Sequence, residues 1–278
     1  MDNIDFKIVA DSSVDIFKLK DVSFSSAPLK IITDNDQYVD NKDLDVGKML
    51  KELYEYKGRS STSCPSSLDW LDCFGDAKYV FCISLTSKLS GSYNSAVIAK
   101  NDYEESYPDR KVYVVDSLSA GPGVRMLVEK LRELICEGHE FEEICRMIED
   151  YKATTELYFV LESLNNFANN GRVSPSVAKM ASMLGIRIVG KAYEGELKPL
   201  LKSCGEKKSL AALLERLENA GYRGGKVRIA HCMNEDAAMK IASEIRKKYE
   251  ESNIKIYPTR GLCSYYAEKG GLLVGFEK

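Results

Sequence analysis

Histidine is scarce in this 278-residue chain, which has two, His139 and His231. Neither sits in a motif that ties it to a serine, and no G-x-S-x-G elbow occurs, so the many serines do not form a hydrolase signature. The eight cysteines (Cys64, Cys73, Cys82, Cys136, Cys145, Cys204, Cys232 and Cys263) contain no C-x-x-C pair and fall mostly in apolar segments. That pattern fits reduced, buried thiols and offers a metal no short ligand spacing, so neither a metal nor another cofactor is expected. An excess of one charge is also missing: 39 basic and 42 acidic residues leave a net charge of −3, with no basic field for nucleic acid. No apolar run approaches membrane-spanning length. The opening Met1-Asp2-Asn3-Ile4-Asp5-Phe6-Lys7 lacks the basic and then apolar pattern of a secretory signal, so the expected location is the cytosol.

Two glycine patterns come close to nucleotide motifs and fail. Gly185-Ile186-Arg187-Ile188-Val189-Gly190-Lys191-Ala192 has P-loop spacing, but Ala192 offers magnesium no hydroxyl and Ile186 to Val189 suits a strand. Gly121-Pro122-Gly123 opens like a dinucleotide fingerprint without the third glycine. The basic runs Lys207-Lys208 and Arg246-Lys247-Lys248 fall on amphipathic helices and read as solvated faces.

What is present is an ordinary globular composition, 44% hydrophobic and 29% charged, on a chain long enough for two domains. Strands are expected at Phe6 to Ala10, Leu29 to Ile32, Tyr79 to Ile83 and Lys111 to Val115. Helices are expected at Leu44 to Tyr56, Ser67 to Phe74, Ser92 to Asn101 and Leu118 to Glu137. This β-α-β-α order implies a mostly parallel sheet covered on both faces, with ligands bound beyond the carboxyl ends of the strands. Asp11-Ser12-Ser13 and Asp116-Ser117 fall at that edge.

After Gly138 the pattern changes. A helix over Phe141 to Tyr151 is followed by strands at Leu157 to Leu161, Ile186 to Val189, Leu197 to Leu201, Val227 to Ala230, Ile254 to Tyr257 and Gly271 to Phe276. Between them lie a turn at Asn169-Asn170-Gly171-Arg172 and helices at Ser174 to Leu184, Glu206 to Ala220 and Ala237 to Tyr249. The expected fold is α/β in two domains: a three-layer α/β/α unit over 1–152 and a mixed-sheet α/β unit over 153–278 that closes a cleft.

Two hydroxyl-rich stretches, Ser60 to Ser66 and Ser84 to Ser92, each read as a loop opening a helix. Such a loop combines side-chain hydroxyls with unpaired N–H groups at a helix N-terminus, which favours a carboxylate or phosphate. Ordinary capping explains either stretch alone. The pair suggests one anion pocket.

The chain resembles the DegV family of lipid-binding proteins, which includes the fatty-acid-binding subunit of bacterial fatty acid kinase. The likeness rests on Ile8-Val9-Ala10-Asp11-Ser12-Ser13, Ser61-Thr62-Ser63-Cys64-Pro65-Ser66, Ser87-Lys88-Leu89-Ser90-Gly91-Ser92-Tyr93-Asn94-Ser95-Ala96, Val114-Val115-Asp116-Ser117 and Gly171-Arg172-Val173-Ser174. The resemblance implies a long-chain fatty acid between the domains and no catalysis by the chain itself. The carboxylate would lie on Ser61 or Thr62 and Ser87 or Ser90, with Gly91 beside them and Arg172 supporting the cleft. Tyr266 stands where kinase-linked members carry a histidine, and Gly205 where a basic residue is usual. These departures favour a plain lipid carrier that forms no acyl phosphate. The alternatives are a carrier that presents the acyl carboxylate to a fatty acid kinase and a cleft enzyme acting on a small anion.

Overall fold

The computed structural model describes residues 5–179 and 185–278. Its first part contains β1 (Phe6–Asp11), a single 3-10 turn (Ser12–Val14), β2 (Ser23–Ala27), β3 (Lys30–Ile32), β4 (Gln37–Val39) and α1 (Val46–Glu55). There follow β5 (Ser61–Ser63), α2 (Ser67–Phe74), β6 (Tyr79–Ser84), α3 (Ser92–Ser106), β7 (Lys111–Asp116), α4 (Pro122–Cys136) and α5 (Phe141–Ala153). Strands β2-β1-β6-β7 form a wholly parallel sheet. Successive residues of a strand face opposite sides. Val9, Val80 and Cys82 therefore pack on Trp70, Phe74 and Ala96 of α2 and α3. Ile8, Phe81 and Ile83 pack on Leu127, Leu131 and Phe141 of α4 and α5. Burial on both faces explains why these strands read as continuous apolar runs.

The second part contains β8 (Thr155–Leu161), α6 (Asn165–Asn169), α7 (Pro175–Lys179), β9 (Ile186–Tyr193), β10 (Glu196–Cys204) and α8 (Glu206–Asn219). It ends with β11 (Lys226–His231), α9 (Glu235–Lys248), β12 (Asn253–Pro258), α10 (Gly261–Ala267) and β13 (Leu272–Glu277). Its sheet runs β10-β9-β8-β13-β11-β12, antiparallel throughout except for the β11 and β12 pair. Helices α8 and α9 cover one face through Leu213, Leu217, Ile241 and Ile245.

Helix α4 lies between the two sheets, touching β1 and β6 on one side and β8, β11 and β13 on the other. Gly275 permits the approach, since a Cβ there would meet the Pro122 side chain at 3.0 Å. Across the same contact the Arg228 Nε donates to Glu129 Oε2 at 2.7 Å, with both residues buried. Burial alone would raise the Glu129 pKa, yet Arg228, Lys255 and Arg125 hold its carboxyl below the usual range. Removing one partner of such a buried pair costs about 3–5 kcal/mol, because the other charge is left uncompensated.

The structure departs from the sequence reading in specific places. The expected loop at Ser60 to Ser66 begins as a strand: Ser61–Ser63 pairs with β3, and β4-β3-β5 forms a third, antiparallel sheet. Helix α2 is opened by Ser66 alone, whose hydroxyl accepts the Asp69 N–H while the Asp69 carboxylate accepts the Ser66 N–H. The helix expected from Leu118 starts at Pro122, because Leu118 and Gly121 both adopt positive φ. Strands β2 and β4 and helices α6 and α10 are additions to the reading. Helix α7 accounts for the start of the segment expected to be helical from Ser174, and residues 180–184 of that segment lie outside the described residues. The P-loop-like stretch is strand β9.

Candidate ligand cavity

A cavity of about 260 Å³ opens between the ends of the parallel sheet and the face of the mixed sheet opposite α8 and α9, beside α4. Its apolar wall follows from strand geometry. Tyr158 and Val160 of β8 point into the core beneath α8 and α9, so Leu157, Phe159 and Leu161 point the other way and line the cavity. Leu29, Leu85 and Leu262 close the opposite side.

The polar end is built from four places in the chain. In β5, Thr62 pairs with the fully buried Ile31 and shares its face, which turns Thr62 inward and leaves Ser61 exposed. The Thr62 hydroxyl lies 2.8 Å from that of Tyr266 on α10. Burial pushes the Tyr266 phenol above its ordinary pKa, while Thr62 and the nearby Arg172 guanidinium pull it partway back. Ser90 and Gly91 line the cavity where α3 begins, and Gly91 supplies no side-chain cap to that helix. The Ser90 hydroxyl accepts the Ser92 N–H at 3.2 Å, so it also caps the start of α3.

Arg172 is the one charged residue among the described residues that line the cavity. Its Nε donates to the Leu89 carbonyl at 3.2 Å and its Nη1 to the Asn170 carbonyl at 2.6 Å. A guanidinium has five N–H donors, so these two bonds leave donors for an anion. Its partner Leu89 belongs to the hydroxyl loop and Asn170 to the turn after α6, so Arg172 also ties the two parts of the chain together.

Of the residues expected at the site, Thr62, Ser90, Gly91, Arg172 and Tyr266 come together around the cavity. Ser61 and Ser87 are not among the lining residues. The Ser87 N–H donates to Asp116 Oδ1 at 3.1 Å, which makes Ser87 part of the turn that shapes the loop. Both histidines lie elsewhere: His139 is held by Glu143 and Glu137, and His231 is buried at the end of β11 with its pKa lowered by burial. Among the described residues no group of three His, Cys, Asp or Glu side chains could hold a metal ion.

A scaffold of buried carboxyls supports the polar end. Asp11 closes β1 and accepts from the Ser13 N–H and hydroxyl, from the Leu85 N–H at 2.8 Å and from the Ser92 hydroxyl at 2.7 Å. It thereby joins the strand end, the second hydroxyl loop and the start of α3. Burial raises its pKa to about 6 against the pull of these bonds. Asp40 accepts the Gly261 and Leu262 N–H groups, both at 2.9 Å, and Asp15 accepts the Arg260 N–H at 2.7 Å. Together they hold the start of α10 and so position Tyr266. Burial raises both carboxyls, Asp15 to about 8.

Sequence reasoning missed the α10 scaffold and the apolar wall. Asp40 lies more than two hundred residues before its partners in the chain, and no local pattern reports such a contact. It also missed the neighbours of Tyr266. Phe167 stacks on that ring at 4.5 Å, and Tyr265 bonds the Ser60 hydroxyl at 2.8 Å and accepts from Asn170 Nδ2 at 2.9 Å.

The DegV family model, described as "Uncharacterised protein, DegV family", matches residues 5–278. The chain belongs to the DegV family. A DegV domain-containing protein of Streptococcus pneumoniae is 44% identical over 98% of this chain and 99% of its own length. Among solved structures, a DegV family protein from Eubacterium eligens loaded with heptadecanoic acid matches with a TM-score of 0.96 at 44% identity, covering 98% of this chain and 99% of that one. The Streptococcus pneumoniae Fatty Acid Kinase (Fak) B3 protein loaded with linoleic acid matches with a TM-score of 0.96 at 43% identity, with the same coverage. The expected α/β architecture, with a parallel sheet followed by a mixed one, is that of this DegV chain. Among the described residues no helix is long and apolar enough to cross a membrane.

Proposed function

We propose that this chain binds a long-chain fatty acid, with its carboxylate at the polar end of the cavity and its tail along the β8 wall, and that it carries the lipid without catalysis of its own. The observation that carries this reading is the composition of the cavity: an apolar wall with one cation and a cluster of hydroxyls. Two DegV proteins at 43% and 44% identity, loaded with linoleic and heptadecanoic acid, support it. The eight unpaired cysteines support a cytosolic setting.

Energetics divide the labour. Burying an acyl tail contributes about 0.8 kcal/mol per methylene, so about fourteen methylenes contribute on the order of 11 kcal/mol before ordering costs. Each hydrogen bond to the charged carboxylate adds about 1.5–3 kcal/mol. With several such bonds the two contributions are of similar size, so tail burial and head-group bonds share the affinity, and the head group also fixes orientation. The contact set we assign to the carboxylate is Thr62, Ser90, Gly91, Arg172 and Tyr266. Ser61 and Ser87, which stand away from the cavity, are left out. We divide the chain near residue 152, the first part supplying the hydroxyl loops and the second closing the cavity.

Native mass spectrometry of the purified protein, followed by denaturing lipid extraction, tests this reading. A fatty acid at one equivalent supports it. A protein that stays empty after incubation with a panel of fatty acids sinks it. The likeness to Fak B3 favours a second reading, in which the bound acyl carboxylate is presented to a fatty acid kinase. Incubation with such a kinase and ATP decides between them: acyl phosphate formation favours the kinase partner, and its absence, with the lipid still bound, favours the plain carrier.

A further inference from the structure

Phe159 does not stand upright on its sheet. Strand side chains project roughly perpendicular to the sheet, yet a Cβ built on Gly190 would fall within 3.0 Å of both Cζ and Cε2 of the Phe159 ring. The ring therefore reaches sideways over the neighbouring strand, about 4.8 Å away. Register explains the direction. Phe159 lies opposite Gly190 on β9 and opposite Leu273 on β13. Leu273 occupies one side and also lines the cavity, so the position without a side chain is where the ring can lie down. A flat ring presents its thickness to the cavity, whereas an upright one would present its length.

We propose that Gly190 and Phe159 together set the width of the acyl channel, and so decide how readily it takes a bent cis-unsaturated chain beside a straight saturated one. This rests on the fatty-acid reading above. A cis double bond bends the chain and needs a wider section than an extended saturated tail. The lowered ring provides that width in the middle of the wall, between Leu157 and Leu161. Gly190 touches no ligand: it acts through the ring it accommodates.

The test is competition between equimolar palmitate and linoleate, read by native mass spectrometry as the ratio of the two bound acids. Gly190→Ala should raise the ring and lower the linoleate-to-palmitate ratio at least tenfold. Phe159→Leu should raise the ratio, and the double variant should match Phe159→Leu, because without the ring the residue at 190 has nothing to displace. An unchanged ratio in Phe159→Leu overturns the proposal, as does an equal loss of both acids in a folded Gly190→Ala protein. A Cβ at 190 also crowds the Lys198 carbonyl. If Gly190→Ala fails to fold, the ratio in Phe159→Leu decides alone. A wild-type protein that binds neither acid would instead sink the fatty-acid reading on which the proposal stands.

Discussion

The two sheets meet the cavity in different ways. The parallel sheet reaches it with strand ends and loops: Asp11 closes β1, and the hydroxyl loop ending in Ser90 and Gly91 follows β6. The mixed sheet reaches it with the flat of a strand, through Leu157, Phe159 and Leu161. The loop offers hydroxyls, while a strand face has spent its backbone on its neighbours and here offers apolar side chains. The parallel-sheet loop therefore brings hydroxyls and the β8 face brings apolar area, while Arg172 and Tyr266 reach the polar end from a turn and a helix of the second half, and Leu29 and Leu85 of the first half close the apolar side. Head-group changes should then alter affinity for every acyl chain alike, and wall changes should alter how much tail can be buried and which tail fits.

The strongest way to break this division is a charge on the wall. Leu161→Asp should reduce fatty acid retention more than about 100-fold, since an unpaired carboxylate buried in apolar surroundings costs several kcal/mol. Lipid content after purification measures it, and retention within a few fold of wild type would refute the assigned wall.

A smaller loss is expected at the head end. Arg172→Met and Tyr266→Phe should each weaken binding roughly 5- to 50-fold, about 1–2.5 kcal/mol, with the preference among chain lengths unchanged. Titration with saturated acids of several lengths checks this, and a changed preference would merge the two roles that the comparison separates.

The third prediction concerns the carboxyls that hold the head end in place. Asp11 and Asp15 have pKa values raised from 3.8, to about 6 and about 8, so the folded state binds their protons more tightly than the unfolded chain does. Their stabilising effect is full below about pH 4 and is lost as pH rises, through about 6 for Asp11 and about 8 for Asp15. Asp15→Asn should flatten that dependence. Its melting temperature should fall at least about 4 °C less than that of the wild type between about pH 5 and about pH 8.5. Identical slopes in the two proteins would show that Asp15 does not titrate in this window.

The smallest effects belong to residues outside both regions. Lys247 and Glu244 form an exposed pair on α9, and Ser61 is exposed on β5. Lys247→Ala and Ser61→Ala should each change stability by less than about 0.5 kcal/mol and leave lipid binding unchanged. A loss of binding in Ser61→Ala would return that hydroxyl to the carboxylate site.

The same division explains what was legible beforehand. The β1, β6 and β7 runs were readable because burial on both faces leaves them continuously apolar, and the second hydroxyl loop was readable because it follows a strand and opens a helix. Thr62 and Ser61 were indistinguishable: which of two adjacent hydroxyls points inward depends on the pairing of β5 with β3, and β5 was read as a loop. Ser87 failed to separate from Ser90 for a similar reason, since its N–H is taken by Asp116 from a neighbouring strand end.

By itself the sequence determined the alternation of elements, the change from a parallel to a mixed pattern, the second hydroxyl loop and the family likeness, because all of these are written in local order and spacing. Only the tertiary structure decided which hydroxyls face the cavity, that α4 lies between the sheets, that Asp15 and Asp40 hold α10, and that the Phe159 ring lies over Gly190. Each of these depends on contacts between residues far apart in the chain, where register and packing, not neighbours in sequence, set the position of a side chain.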